Sequence, residues 1–367
     1  MECGEKWQGD VDFVRKFNQK SEELRIPISG SIDLTSHCNL RCIHCYLGEK
    51  SNRERLRHPE MTTRQLLSVI DEITEAGCLY LLITGGEPLL RNDFPEIYSH
   101  ARKSGLILTV FTNGTLFTDR VIDLFQDLPP RVVEISLYGA TASTYETITR
   151  IPGSYEKCLN GVRRLLERRI PVGLKTILMT ANCREFFDIE KMARDLGVKF
   201  RFDAALFPCL SGDPSPLRLR VSARDAVEME FSDEERARRW EEYFTRSQGQ
   251  LPNDNLYNCG AGRTGFHIDP CGNLQPCVMT TDIKHNLLKG TFLEGWHHIT
   301  VRIGGKKAGN AYPCNQCEKR HLCGFCPAFS NLENGAEDHP SEYLCSIGKS
   351  RFLKMRRSDG QGVQSAA

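Results

Sequence analysis

The chain has 367 residues, 48 Lys and Arg against 47 Asp and Glu, a net charge of +1, 40% apolar and 26% charged residues, which is room and composition for one large globular domain and a smaller one. Near-zero charge without a basic stripe argues against a nucleic-acid partner held through phosphates, and no run reaches 18 apolar residues, so no membrane partner is expected. Sixteen cysteines, with no secretory signal after Met1-Glu2-Cys3, point to a cytoplasmic protein using them for metal or redox chemistry rather than a disulfide framework.

In chain order, residues 1–27 are polar, with a helix around Val11–Asn18, and are too few for a domain. Ile28–Leu34 reads as a strand delivering a cysteine loop at its C-terminal end. Glu49–Pro59 is a charged loop. Thr62 or Thr63 can cap a helix to about Ala76, ended by Gly77. There follow strand Leu79–Thr84, helix Asp93–Lys103, strand Leu106–Phe111, helix Thr118–Asp127 and strand Val132–Leu137. A broken helical region (Thr141–Arg169) leads to strand Val172–Met179, a helix near Glu185–Leu196 and strand Val198–Phe202. About six βα units predict a parallel sheet with right-handed crossovers; they fall short of a full eight-unit barrel, and periodicity alone equally allows a doubly wound sheet. Residues 207–255 read as a linker and bridging helix, Asp233–Ser247, with Ser232 as its cap. Residues 256–350 form a second unit dominated by cysteines, and 351–367 a tail expected to be disordered.

Cys38-Asn39-Leu40-Arg41-Cys42-Ile43-His44-Cys45 puts three cysteines within eight residues. Three thiolates so spaced can hold three irons of a [4Fe–4S] cubane and leave the fourth open to a small molecule; a zinc knuckle is the plainer alternative. Thr84-Gly85-Gly86-Glu87-Pro88 ends the second strand. Its glycines allow close backbone approach to a ligand, and its carbonyls and the Glu87 carboxylate can accept from an ammonium group. Thr112-Asn113-Gly114, Ser136, Tyr138 and Arg150 add polar groups along the same rim, with Lys175 a weaker candidate. Further on come Cys259, Cys277, Cys314-x₂-Cys317-x₅-Cys323-x₂-Cys326 and Cys345, which a structural zinc ribbon would also explain. Phe266–Asp269 and Leu274–Pro276 look like hairpin strands, with Cys271 in the turn between them, roughly 10 Å or more from Cys277. Cys3, Cys78, Cys158, Cys183, Cys209 and Cys271 are most simply small apolar residues. Among them, Cys209 is the one candidate active-site thiol.

The CxxxCxxC loop, with His44 before its third cysteine, resembles the signature of the radical S-adenosylmethionine (radical SAM) superfamily. The C-terminal cysteines resemble the SPASM extension of its peptide- and protein-modifying members. The family usually has three residues between the last two cysteines of the quartet; here Gly324 and Phe325 make two. This resemblance implies a partial (βα)₆ TIM-like barrel with its chemistry at the C-terminal strand ends. It also implies three [4Fe–4S] clusters: one on Cys38, Cys42 and Cys45, one on Cys259, Cys277 and Cys326, and one on Cys314, Cys317, Cys323 and Cys345. The second has an incomplete set, so an open iron or a ligand from elsewhere is expected there. SAM would bind the open iron of the first, with Gly85, Gly86, Glu87 and Pro88 at its methionine amino group, Ser136 at the ribose and Arg150 at the carboxylate.

The implied activity is reductive cleavage of SAM to a 5′-deoxyadenosyl radical that takes hydrogen from a substrate, fed by an external one-electron donor of flavodoxin or ferredoxin type. The substrate expected first is a ribosomally made peptide, matured by a thioether, a crosslink or epimerisation. Twenty-seven N-terminal residues are too few for a leader-recognition domain, which leaves a separate recognition protein or direct binding of the core peptide. An anaerobic sulfatase-maturing enzyme is one alternative, but that family has an aspartate base after the cysteine corresponding to Cys277, where this chain has Val278. A tetrapyrrole or small-molecule radical SAM enzyme is another, and a non-catalytic zinc protein a third.

Overall fold

The computed structural model describes residues 8–48, 59–247, 254–309 and 312–358. Helix α1 (Gln8–Glu23) leads to β1 (Ser29–Asp33), α2 (Thr63–Glu75), β2 (Tyr80–Thr84), α3 (Phe94–Lys103), β3 (Ile107–Thr112), α4 (Asp119–Asp127) and β4 (Val132–Ser136). The broken region resolves into α5 (Ala142–Thr149) and α6 (Ser154–Glu167), followed by β5 (Val172–Ile177), α7 (Phe186–Asp195) and β6 (Lys199–Asp203). Each strand is aliphatic at every second position and each helix is amphipathic, so helices laid along one side of a parallel sheet bury both. Strands β1 to β6 are accordingly parallel and neighbours in sequence order. Ile32, Ile83, Val110, Ile135 and Leu174 share one buried core with Ile70, Ile97, Phe125 and Leu165 of the helices. This is the six-unit partial barrel.

The sheet does not stop there. Strand β7 (Gly265–Ile268) pairs in parallel with β1, Ser31 opposite His267 and Ile32 opposite Ile268, and β8 (Asn273–Gln275) and β9 (His285–Asn286) extend it to nine strands. The pairing is built on Gly30: a Cβ there would lie 2.2 Å from the Phe266 ring, which packs against Phe292 and Trp296 of α10 (Phe292–Gly304). Helices α8 (Ala223–Glu230) and α9 (Glu234–Ser247) precede this unit, and α11 (Pro327–Asn334) and α12 (Glu342–Ser358) close it.

Several expectations are corrected. The linker contains α8, which Ser222 caps through the Asp225 N–H at 3.0 Å. Asp233, not Ser232, caps α9, accepting from the Arg236 N–H at 2.8 Å, while the Ser232 hydroxyl turns back to the Met229 carbonyl. The expected tail is helical as far as Ser358, because Phe352 and Met355 of α12 bury with Leu322. Apart from Pro59, the charged loop lies outside the described residues, as do Cys3 and residues 359–367.

Candidate active site

Alternation along parallel strands puts every second side chain on the side away from the helices. Here that side interleaves apolar Leu82, Phe111 and Ile177 with polar groups: Ser31 and Asp33 on β1, Thr84 on β2, Glu134 and Ser136 on β4, Lys175 on β5, Arg201 on β6, His267 on β7. In register, Phe111 faces Glu134, and Ser136, Lys175 and Arg201 form one row. The Lys175 ammonium stands 3.1 Å over the centre of the Phe111 ring, and the Arg201 guanidinium donates to Glu134 at 2.7 Å. The Ser31 hydroxyl lies 2.9 Å from His267 Nδ1, and His267 Nε2 is 3.8 Å from Asp33, with both side chains buried. A parallel sheet is usually apolar on both faces, so polar groups in the lumen mark where chemistry is housed.

At the C-terminal rim the cysteine loop is gripped from three directions. The Gly86 N–H donates to the Thr35 carbonyl and the Glu87 N–H to the His37 carbonyl, both at 2.8 Å. A Cβ at Gly86 would lie 2.3 Å from the His37 oxygen, and one at Gly85 (φ +130°) 2.5 Å from the Thr35 oxygen. The side of the glycine pair that lacks a Cβ is thus filled by the chain entering the loop. Their carbonyls are what remain for a ligand. Glu87, fully buried, accepts from Thr112 Oγ1 (2.8 Å) and the Leu89 N–H (3.1 Å) on one oxygen and from the Asn113 N–H (2.8 Å) on the other. Burial pushes its carboxyl up to about 7 against these bonds. Pro88 opens the short 3₁₀ turn that Glu87 caps. From the next strand end, Asn113 Nδ2 donates to Asn39 Oδ1 at 2.8 Å and approaches Cys38 Sγ at 3.9 Å.

The third grip is α5, whose last carbonyls, on Ile148 and Thr149, accept from Ile43 and Arg41 at 3.0 Å on either side of Cys42. Arg150 follows at once, an exposed side chain on a left-handed residue (φ +57°), so the end of α5 places it beside the loop. Ser136 ends β4, and two residues on the Tyr138 ring meets His44 edge to face at 4.5 Å. Burial drives His44 down to about 4, so it is neutral. Cys209 is buried against this loop, its thiol 3.5 Å from the Cys45 carbonyl, and burial raises it away from a reactive thiolate.

The expected metal residues fall into three sets. Burial pushes Cys38 up to about 11 and Cys42 higher still, with repulsion among Cys38, Cys42 and Cys45 adding to it. Cys326, pushed up to about 11, feels Cys277 and Cys259 besides its burial. Cys323, likewise at about 11, feels Cys345, Cys314 and Cys317. These repulsions run within the same three groups that the spacing along the sequence sets out, and the first group also acts on Cys209. Thiols that repel as anions suit a cationic centre, which inverts that cost by deprotonating its ligands. Among the described residues no such group is tight enough for a single metal ion; a cubane spreads its thiolates over separate irons. Cys271 sits in the β7–β8 turn as expected, its N–H on Asp269 at 2.9 Å, with β8 between it and Cys277.

Residues 32–196 match the family model described as the radical SAM superfamily. The chain carries a radical SAM domain. The matched span of the radical SAM domain begins on β1 and ends just past α7, so it covers the cysteine loop and the rim of the barrel. An AdoMet-dependent heme synthase of Methanosarcina barkeri is 26% identical over 333 residues, 83% of this chain and 92% of that protein. The PqqA peptide cyclase of Bradyrhizobium diazoefficiens is 24% identical over 370 residues, 94% of this chain and 93% of that protein. The structure of Streptococcus suis SuiB bound to the precursor peptide SuiA superposes with a TM-score of 0.70 at 14% identity, covering 94% of this chain and 82% of SuiB.

Proposed function

We propose that this chain is a cytoplasmic SPASM-type maturase of a ribosomally made peptide. The spacing of ten cysteines, three in the loop at the barrel rim and seven in the C-terminal unit, carries the reading. Cys38, Cys42 and Cys45 would hold the [4Fe–4S] cluster that binds SAM. Cys259, Cys277 and Cys326 would hold one auxiliary cluster and Cys314, Cys317, Cys323 and Cys345 the other. Bound together, SAM and the first cluster supply a 5′-deoxyadenosyl radical from one external electron. The chain's own work is to orient and shield. The Gly85 and Gly86 carbonyls accept the methionine ammonium, Ser136 the ribose, and Arg150 pairs with the carboxylate. Glu87, committed to Thr112, Leu89 and Asn113, stiffens this rim rather than reaching out. The apolar loop face of Ile43, Tyr138 and Met179 keeps water from it.

A peptide substrate is supported by the near full-length likeness to a peptide cyclase and by a fold shared with an enzyme solved on its precursor peptide. Val278 in place of an aspartate speaks against formylglycine formation. The likeness to a heme synthase keeps a tetrapyrrole as the second reading. Anaerobically reconstituted protein should carry about 12 irons, three cubanes, and release 5′-deoxyadenosine from SAM under a one-electron reductant. Titration with iron coproporphyrin separates the two substrates: a shifted Soret band with substrate-dependent turnover favours the tetrapyrrole, and no binding favours the peptide.

A further inference from the structure

Glu185 ends the 3₁₀ turn after β5, at the barrel rim but on the far side of α5 from the cysteine loop. Its carboxylate reaches across to the β4–α5 connection and takes four donors. One oxygen accepts the Ala140 and Thr141 N–H groups (2.7 and 3.1 Å), the other the Thr141 and Thr144 hydroxyls (2.7 and 2.6 Å). Burial alone would raise this carboxyl; the four donors outweigh it and hold it below its ordinary value. Asn182, three residues earlier, donates to the Tyr138 carbonyl at 3.0 Å, so the β5 loop clamps the whole β4–α5 connection. A helix of eight residues has no stability of its own and depends on what holds its ends. An anionic side chain at its N-terminus is also favoured by the helix dipole. The other end of this helix carries the carbonyls that receive the Arg41 and Ile43 N–H groups, and then Arg150.

We infer that Glu185 is a positioning residue for the cysteine loop and Arg150, acting through α5 as a strut about 12 Å long. The inference rests on the SAM-binding reading of that loop. Glu185 touches neither cysteine nor ligand. It sets the axial position of a helix whose far end fixes the backbone on both sides of Cys42. Loss of the carboxylate leaves the α5 N-terminus to its own Thr141 cap on the Thr144 N–H (3.3 Å) and to the Tyr155 hydroxyl on the Ala140 carbonyl, a looser hold, and the Ile148 and Thr149 carbonyls move with it.

Two measurements on Glu185→Ala, Glu185→Gln and Thr144→Val decide it. The first is the alkylation rate of Cys42 in cluster-free protein, read by mass spectrometry. The second is the dissociation constant of SAM for reconstituted protein, with the spectrum of the reduced, SAM-bound cluster. Glu185→Ala should raise the Cys42 rate severalfold and weaken SAM about 2- to 30-fold. Glu185→Gln keeps one acceptor oxygen and should fall between. Thr144→Val, which removes one donor without burying a charge, should show the smallest effect in the same direction. All three folding with a lowered melting temperature, yet with wild-type alkylation, SAM affinity and spectrum, would make Glu185 a helix cap only and overturn the inference. If wild-type protein binds no SAM, the reading of the loop has failed instead, and the alkylation arm still settles the strut.

Discussion

Gly86→Ala is the sharpest test of how the rim is built. A Cβ at residue 86 would stand 2.3 Å from the His37 carbonyl oxygen, 2.7 Å from its carbon and 2.8 Å from the Ser36 oxygen. Contact at ordinary separation requires the Ser36–His37 backbone to retreat by about 1 Å, since well-packed interiors have no slack to absorb it. Backbone atoms cannot swing aside as a side-chain tip can. The retreat stretches the Gly86–Thr35 and Glu87–His37 hydrogen bonds, both 2.8 Å, beyond useful length. Two lost bonds at about 0.5–1.5 kcal/mol each, with about 1–3 kcal/mol of overpacking, give about 2–6 kcal/mol. A domain worth about 5–15 kcal/mol survives that. The next residue is Cys38. Gly86→Ala should therefore remain folded yet lose about one third of the reconstituted iron, bind SAM more weakly and release no 5′-deoxyadenosine. Gly173→Ala is the control, because a Cβ on that β5 glycine would meet nothing nearer than 3.6 Å. A Gly86→Ala protein with full iron and SAM affinity within about twofold of wild type would refute the close-approach argument.

The remaining predictions address the clusters and the lumen. Cys271→Ala should keep full iron, whereas Cys326→Ala should lose about one third; iron and sulfide analysis with Mössbauer spectra reads both, and a cluster lost from Cys271→Ala would make that turn cysteine a ligand. Asn113→Ala removes the amide approaching Cys38 Sγ. A bond of about 0.5–1.5 kcal/mol should shift the first cluster's one-electron potential on the order of 20–60 mV more negative, and an EPR-monitored redox titration with no shift dismisses that bond. For Glu87, the unfolded chain releases its proton near 4.5 and the folded chain near 7, so stability present below pH 4.5 falls as pH rises through about 7, by about 3 kcal/mol. Lys175, pushed down by burial from 10.5 to about 7, works oppositely, its cost easing between about pH 7 and 10.5. Urea midpoints of cluster-free Glu87→Gln should thus fall less between pH 5 and 7 than those of wild type; parallel profiles would show that Glu87 does not titrate there. His267→Ala, which removes the ring nitrogen 2.9 Å from the Ser31 hydroxyl in the β1–β7 seam, should cost about 1–3 kcal/mol, seen as a lowered melting temperature of the whole protein rather than of the C-terminal unit alone.

What could be read in the sequence was local. Strands, helices and the cap at Thr62 follow from alternation, amphipathicity and hydroxyl placement within a few residues. The cysteine sets were legible because their spacing is itself the chemistry. Glu87 was read as facing a ligand, since nothing nearby showed that Thr112 and Asn113, on the following strand, would take its oxygens. Glu185 left no trace, for its partners lie 41 to 45 positions earlier. Asp33 did leave one: a charge in a strand of small and apolar residues, facing the lumen, is a signal that alternation alone could have raised. The β1–β7 pairing had none. Gly-Phe-His-Ile is too short to name its partner, and the bond that marks it joins residues 236 positions apart.

That pairing decides how the two halves relate. Strands β1 and β7 run in the same direction, so the chain toward Cys38 and the turn holding Cys271 leave the sheet at the same edge. The Arg91 guanidinium stitches that edge, donating to the Leu34 and Met61 carbonyls at 3.0 Å and to Asp93, while the Met61 N–H reaches the Pro270 carbonyl of the turn at 2.7 Å. Below it, Ser31 and His267 close the lumen wall across the seam. Detaching the C-terminal unit would leave the β1 hydrogen-bonding edge open and empty the space against Gly30. A hinge there would have to break main-chain bonds at every step. The cysteine-rich unit is therefore the seventh wall of the barrel, and the spacing between the first cysteine set and the hairpin that leads to Cys277 is fixed by sheet geometry rather than by a linker.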